Sequence, residues 1–434
     1  KLPAGEALHV SHFDIENAFY TFQLPPSMRR YFGCPAVWAS DLGVAALDGV
    51  ALAAGARLYP RLRVLPMGFS HALWVCQEVH RRILINAGMP DTHMVCDRAA
   101  PPSLDPWAYT VYVDNAIFFG TDKQEVRDKM ERARAAVEAA GLPTHEVQHC
   151  EGSAEVLGWE ILSEGIVRPK PSRARRVILS IDCMLLQPKV NIADLDKLIG
   201  HCTFIGLISR PSLACLSSVY VFIAHHRHRV GPHSLWNSVR DELITFRGLI
   251  PMFEAVLTLD VDPTVMAVDA SQWGHGAVQQ SFDPALVSET IRHNDRWRFA
   301  RHHELEVLRH DGQRESDQLL RGFQAHDVEP RLGDGLDSPG RTEGKVRAKF
   351  PDLSCEFDSP AWTVIGSHAW KRTPHHIVLG EGRALIFGVE HVLRSGAAFN
   401  KCHLFLSDSL VNVLALAKGR SSRQAVWSTA RAVA

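Results

Sequence analysis

Two carboxylates, each closing a short apolar run, constrain this chain more than any other feature. Residues Tyr109 to Gly120 are aromatic and β-branched on both sides of Asp114-Asn115, which predicts an antiparallel hairpin with the acid at its turn. Residues His9 to Ile15 predict a buried strand, and Asp14 stands at its end. Between the two lies Leu65-Pro66-Met67-Gly68-Phe69, a Gly-containing loop that enters a helix continuing through Glu78 to Ala87. After the hairpin, Asp122 is placed to cap a helix that runs to Ala140 and stops at Gly141, and Val156 to Ile161 predicts one more strand. The order β-α-β-β-α-β is that of a ferredoxin-like sheet, so residues 1–162 are expected to form one α/β (α+β) domain.

Two further segments follow. Residues 163–260 are expected to be mostly helical: Ile192 to Ile208 sets Leu195, Leu198, Ile199, Cys202 and Ile205 on one apolar face before Arg210-Pro211 breaks the pattern. Pro211 to His225 and Trp236 to Val256 predict two more helices. Residues 261–434 open on a strand ending at Asp269, and later predict a helix at Ile377 to Arg394, a strand at Cys402 to Leu406 and a helix at Ser409 to Ala417. Within this segment residues 288–360 are charged, Gly/Pro/Arg-rich and weakly periodic, the signature of a polar insertion.

Composition narrows the class. At 434 residues, 46% hydrophobic and 22% charged, the chain is long enough for two or three domains and is not disordered by default. No run of about 18 uncharged apolar residues occurs, so no membrane partner is expected. Nine cysteines are scattered without a C-x-x-C pair, which suits a reducing compartment; the expected location is intracellular, cytoplasmic or nuclear, not secreted. The chain starts at Lys1 without a signal-like segment and is expected to be part of something longer. The net charge of -1 gives no overall basic excess for phosphates. Basic groups are local, at Arg168, Lys170, Arg173, Arg175 and Arg176 and again at His225 to Arg229, and each run suits a solvated surface as well as a nucleic-acid handle.

Three blocks, F-D-I-x-x-A-F-Y around Asp14, L-P-x-G-F at 65–69 and Y-V-D ending at Asp114, resemble in order and spacing the reverse transcriptase family, retrotransposon type. The resemblance implies a polymerase palm at 1–162 and a thumb and connection at 163–260. Nucleotidyl transfer needs a 3'-hydroxyl activated and a pyrophosphate neutralised, which two Mg2+ (or Mn2+) ions per active site accomplish. Such ions take hard oxygen ligands, and Asp14 and Asp114 are the pair the resemblance assigns. Asn115 stands where the family has a second acid. Its amide offers one oxygen but no charge, so either the site accepts a neutral third ligand or this copy is impaired. Glu16 is too far along the strand to substitute. Phe19 matches the aromatic under the incoming sugar, with Tyr20 beside it; Gly68 lets the backbone approach, and Met67 occupies the place of a glutamine in retroviral relatives. The family's lysine after the second helix aligns with Gln148, leaving His145 and His149 as alternative acids or as surface histidines. Leu157-Gly158 matches the primer grip, and the fingers are largely missing upstream of Asp14.

The last segment resembles RNase H. Asp269, Ser271, Gly274 and Gly276 match its D-x-S-x-x-G-x-G entry, Glu381 an E-x-R-A helix, and Asp408 a strand end, so these three acids are its candidate metal ligands. No acid follows Asp408 to supply the family's fourth. His201-Cys202, His225 to His228 and His375-His376 lack paired zinc spacing. The expectation is an RNA-directed DNA polymerase of a retroelement, DIRS-like in its tail, acting on an RNA or DNA template with primer and on dNTPs, with an RNase H-like module. The second reading is a catalytically silent nucleic-acid-binding relic of such an element. The sequence fixes no oligomeric state.

Overall fold

The computed structural model describes residues 1–3, 5–298, 350–371 and 376–419, together with residues 429, 431 and 432. The chain divides into two compact units: one contains residues 1–96, 101–170 and 256–258, the other residues 97–100, 171–255 and 259–434.

The first unit is built on a four-stranded antiparallel sheet. Its elements are β1 (His9–Ile15), α1 (Ala72–Asn86), β2 (Ala108–Tyr112), β3 (Asn115–Gly120), α2 (Lys123–Ala139) and β4 (Thr144–Cys150), with strand order β2-β3-β1-β4. This is the β-α-β-β-α-β connectivity expected of the region. The strand that completes it differs from expectation. It is β4, whose polar alternation Thr144-His145-Glu146-Val147-Gln148 leaves little apolar signal because it sits at the sheet edge with much of it exposed. The run at Val156 to Ile161 instead breaks into a hairpin, β5 (Ser153–Val156) and β6 (Trp159–Leu162), because Leu157 and Gly158 both take positive φ, 51° and 81°, as a two-residue turn requires. A third strand, β7 (Ile166–Pro169), pairs with β6 and carries the unit to residue 170, past the boundary expected at 162.

Both faces of the main sheet are covered. Phe13, Ile15, Tyr109 and Phe118 pack under α1 and α2 with Cys76, Leu84, Val126 and Met130; Val10, Ala108 and Ile117 pack on the other face against Ala154 and Val156. A fully buried Phe such as Phe118 contributes about 2 kcal/mol of hydrophobic stabilisation. Asp122 caps α2 by accepting the backbone N–H groups of Gln124 and Glu125, each at 2.9 Å, and Gly141 ends the helix region at φ +82°. Residues 22–71 form an irregular excursion with two short paired segments, Val37–Trp38 with Arg57–Leu58 and Ala46–Leu47 with Val50–Ala51.

The second unit joins a helical part to a second sheet. Its helices α3 (Pro171–Leu186), α4 (Ile192–Gly206), α5 (Ser217–His226) and α6 (Asn237–Leu249) share one core, and the five apolar positions expected on α4 are all buried in it. Helix α3 was not evident in the sequence, where its arginines stood out instead. Of that basic run, Arg168 pairs with Glu160 at 2.6 Å, Lys170 pairs with Glu155, and Arg173 lies 4.2 Å over the Phe204 ring, which leaves Arg175 and Arg176 exposed. Of the histidine cluster only His226 is buried: its Nδ1 donates to the Phe222 carbonyl at 2.9 Å and its ring lies 4.3 Å from that of Phe222, while His225 and His228 are exposed.

The sheet part comprises β8 (Thr264–Ala270), β9 (Gly274–Ser281), α7 (Pro284–Ile291), β10 (Thr363–Ala369), α8 (Ile377–Leu393), β11 (Phe405–Leu406) and α9 (Leu410–Lys418). Strand order is β10-β9-β8-β11, antiparallel except for the parallel pair β8 and β11. Helix α8 lies on β8, with Gly388 admitting Val268 and Met266 so closely that a Cβ would stand 3.0 Å from Val268 Cγ1. Ser288, where the polar insertion is expected to begin, falls within α7, and most of the insertion, residues 299–349, lies outside the described residues.

Candidate active site

The hairpin turn brings the two leading acids together. Strand β1 pairs with β3 so that Asp14 faces Asn115, and Ile15 N–H donates to the Asp114 carbonyl at 3.1 Å. Asp14 and Asp114 therefore meet at one end of the sheet, as their order in the sequence implied. Asn115 Nδ2 donates to Asp114 Oδ1 at 3.1 Å, which leaves the amide beside the acid without adding charge.

The turn is strained and clamped. Val113, its first residue, has φ +57°, a region that β-branched residues avoid at a cost of about 1–2 kcal/mol. Three hydrogen bonds from α1 hold it. Gln77 Oε1 accepts the Val113 N–H at 2.8 Å, Gln77 Nε2 donates to the Val111 carbonyl at 2.9 Å, and His80 Nδ1 lies 3.0 Å from the Val113 carbonyl. A carbonyl only accepts, so Nδ1 carries the proton. Burial lowers the His80 pKa to about 4 and keeps the ring neutral despite the nearby Asp114 charge. Residues 77 and 80 share a face of α1 at helical spacing. The helix entered from Leu65-Pro66-Met67-Gly68-Phe69 thus fixes the turn that carries Asp114. Strain held by surrounding contacts concentrates at functional sites.

The entry loop has a buried base and an exposed tip. Leu65 is buried and Phe69 packs on the Phe32 ring at 5.1 Å, while Met67 is 65% exposed and Gly68 takes φ +93°. Phe19 packs partly on the core. Tyr20, 61% exposed, donates from its hydroxyl to Met67 Sδ at 3.6 Å, so the two expected nucleotide-side residues Tyr20 and Met67 touch.

Asp14 is electrostatically perturbed. Its pKa rises to about 6, first because burial disfavours the charge, then because of Asp114, with Glu146 adding to the rise and His145 opposing it. Its Oδ1 is buried without a hydrogen-bond partner, and so is His145 Nδ1. An orphaned buried acceptor costs about 1–3 kcal/mol, an unusual expense unless something binds there. Asp14, His145 and Glu146 each bring a ligand atom to within 4.8 Å of the others. Among the described residues this is the only group of three or more His, Cys, Asp or Glu side chains so arranged. The donor set of carboxylates and an imidazole fits a divalent cation.

Glu146 was not singled out by the sequence, because its relevance depends on the register of β4. Of the two histidines considered as acids, His145 stands opposite Asp14, whereas His149 turns to the helical side, with Nε2 3.0 Å from Glu131 Oε1 and Nδ1 3.0 Å from Ser11 Oγ. Gln148 lies opposite His12.

In the second unit Asp269 is exposed near the end of β8, and Asp408 is exposed beyond β11. Because Ala267 pairs with Leu406 in parallel, these two acids lie at the same end of neighbouring strands. Glu381 is in the second turn of α8. Asp269, Glu381 and Asp408 do not form a three-ligand group among the described residues.

No family model and no curated protein matches the chain. Among solved structures it is similar to the foamy viral protease-reverse transcriptase. In complex with RNA/DNA hybrid, that structure gives 13% identity and a TM-score of 0.39 over 98% of this chain and 62% of the other. Two double-stranded DNA complexes give 13% identity and TM-score 0.39 over 64% and 42% of the two chains, and 14% and 0.37 over 70% and 55%. The chain thus spans between 42% and 62% of the length of these structures.

Proposed function

We propose that the first unit is the palm of an RNA-directed DNA polymerase of a retroelement, which extends a primer on an RNA or DNA template with dNTPs. The observation that carries this reading is the meeting of Asp14 and Asp114 at one end of the β-α-β-β-α-β sheet, beside a buried Asp14 oxygen that has no protein partner. Asp14 and Asp114 would hold the two Mg2+ or Mn2+ ions. Those ions, when bound, acidify the primer hydroxyl and neutralise the leaving pyrophosphate. Gln77 and His80 keep the Asp114 turn in one conformation, so the carboxylate is positioned before substrate arrives. Tyr20 and Met67 offer an exposed apolar surface on the same unit for a nucleotide. The helical part of the second unit would serve as thumb and connection, and its sheet part as an RNase H-like module holding Asp269, Glu381 and Asp408.

Primer extension on poly(rA)/oligo(dT) with Mg2+ or Mn2+ tests the reading, with Asp14→Ala as control. Activity that survives Asp14→Ala would overturn it. The second reading, a silent nucleic-acid-binding relic, is favoured by one observation: the neutral Asn115 amide bonded to Asp114. Synthesis that appears only in Asn115→Asp would mark this copy as an impaired polymerase, and a chain inert in both forms would favour that second reading.

A further inference from the structure

Strand β4 carries a β-bulge beside Asp14. From His12 to Asp14 is two residues on β1, but the partners run from Gln148 to His145, three residues, so β4 holds one extra residue there. Glu146, inside that stretch, takes φ +50°, a left-handed conformation rare for a residue with a side chain. In a regular strand His145 and Glu146 would point to opposite faces. The bulge breaks the alternation and brings ligand atoms of both within 4.8 Å of Asp14 and of each other.

Unsatisfied polar atoms gather at the same place. Asp14 Oδ1 and His145 Nδ1 are buried without partners. His12 stands two residues before Asp14 on the same sheet face and is only 5% exposed, with the Gln148 side chain and then the Glu146 charge acting on its ring. A protein donor would satisfy one such atom; a cation ligates several at once. The sequence places Asn115 where a further carboxylate is expected, and Glu146 restores a carboxylate to the cluster from the opposite neighbour of β1.

We propose that Asp14, His145 and Glu146 form a divalent-cation site in which Glu146 supplies the carboxylate that Asn115 lacks, and in which the His145 imidazole favours Mn2+ over Mg2+. Imidazole nitrogen suits transition cations, whereas Mg2+ prefers an all-oxygen shell. The role of this cation in nucleotide transfer rests on the polymerase reading; the cation site itself does not.

The test is Mn2+ binding to the full chain, followed by the loss of the free Mn2+ electron paramagnetic resonance signal, with Mg2+ as competitor. Wild type is expected to bind Mn2+ about tenfold more tightly than Mg2+. His145→Ala should weaken Mn2+ by about tenfold and leave Mg2+ nearly unchanged, while Glu146→Gln should weaken both by about tenfold. Glu146→Gly accommodates the positive φ without a carboxylate, so it should keep the fold and still lose binding; it decides the matter if the glutamine variant unfolds. Mn2+ affinity unchanged in His145→Ala and Glu146→Gly overturns the proposal, even where primer extension is present and depends on Asp14 and Asp114. Mn2+ binding that depends on His145 and Glu146 in a chain with no extension activity upholds the site and removes the polymerase reading instead.

Discussion

Asp14 costs the fold stability at neutral pH, and replacing it should make the protein more stable while removing the proposed nucleotidyl transfer. The cause is the rise of its pKa from 3.8 to about 6 through burial and the neighbouring Asp114. At about 1.4 kcal/mol per tenfold change, a rise of that size corresponds to about 3 kcal/mol, which solvent screening of a partly exposed carboxyl reduces to about 1–2 kcal/mol. The sign follows from which state binds the proton. Below pH 3.8 both folded and unfolded chains carry protonated Asp14 and the cost vanishes; it grows as pH rises toward about 6 and is complete above that. Asp14→Asn removes the charge at nearly constant shape. In EDTA it should therefore raise the opening free energy of β1 and β3 by about 1–2 kcal/mol at pH 7.5, and by almost nothing at pH 4. Hydrogen exchange read by mass spectrometry on peptides containing Phe13 and Phe118 measures that local free energy without assuming that both units unfold together. Saturating Mn2+, at about 100 times its dissociation constant, should return about 2.7 kcal/mol to wild type and little to the variant. A variant less stable than wild type at pH 7.5 in EDTA would refute the reasoning, because Asp14 would then be a structural acid with satisfied partners.

Other changes probe separate parts of the account. Gln77→Ala leaves the Val113 N–H and Val111 carbonyl unpaired; it should destabilise the first unit by about 1–3 kcal/mol. In single-turnover primer extension it should lower the rate constant more than the nucleotide affinity, whereas equal loss in both would remove the clamp from catalysis. Gly419→Ala would set a Cβ 1.8 Å from the Arg210 carbonyl at a residue with φ +67°. Thermal unfolding should show a loss of about 2 kcal/mol or more, and an unaffected melt would contradict the packing of α9 on the helical part. Asp269→Asn should abolish any cleavage of the RNA strand of a hybrid in a gel assay and leave primer extension within about twofold, since Asp269 is an exposed residue of the other unit and a surface substitution changes stability little.

The parts of the fold legible in the sequence are those with a strong period or an identifiable cap. Strand β1, the hairpin around Asp114, the α2 cap at Asp122 and the apolar face of α4 all emerged where expected, because alternation, turn chemistry and helical spacing are local properties. Strand β4 did not, since an exposed edge strand carries mostly polar residues. With it went Glu146, which becomes relevant only through a one-residue shift in register that no local pattern encodes. Gln77 and His80 were equally silent: they read as ordinary helix positions until the hairpin turn is seen against them. Leu157-Gly158 showed the opposite failure, an apolar run that hides a turn because a leucine occupies a left-handed position. In the second unit Asp269, near the end of β8, and Asp408, just beyond β11, lie at the same end of a parallel strand pair, but Glu381 in α8 does not join them in a ligand group among the described residues.

The central claim is that Asp14 and Asp114 together form a nucleotidyl-transfer site. Its most direct test is incorporation of a single dTTP on poly(rA)/oligo(dT) in Mn2+, comparing wild type with Asp14→Ala and Asp114→Ala, each shown to fold by hydrogen exchange. Wild type is expected to extend the primer, with a fall of at least about a thousandfold in both variants, the scale expected when electrostatic stabilisation of the reacting phosphate is removed. Extension that persists in either folded variant would contradict the claim.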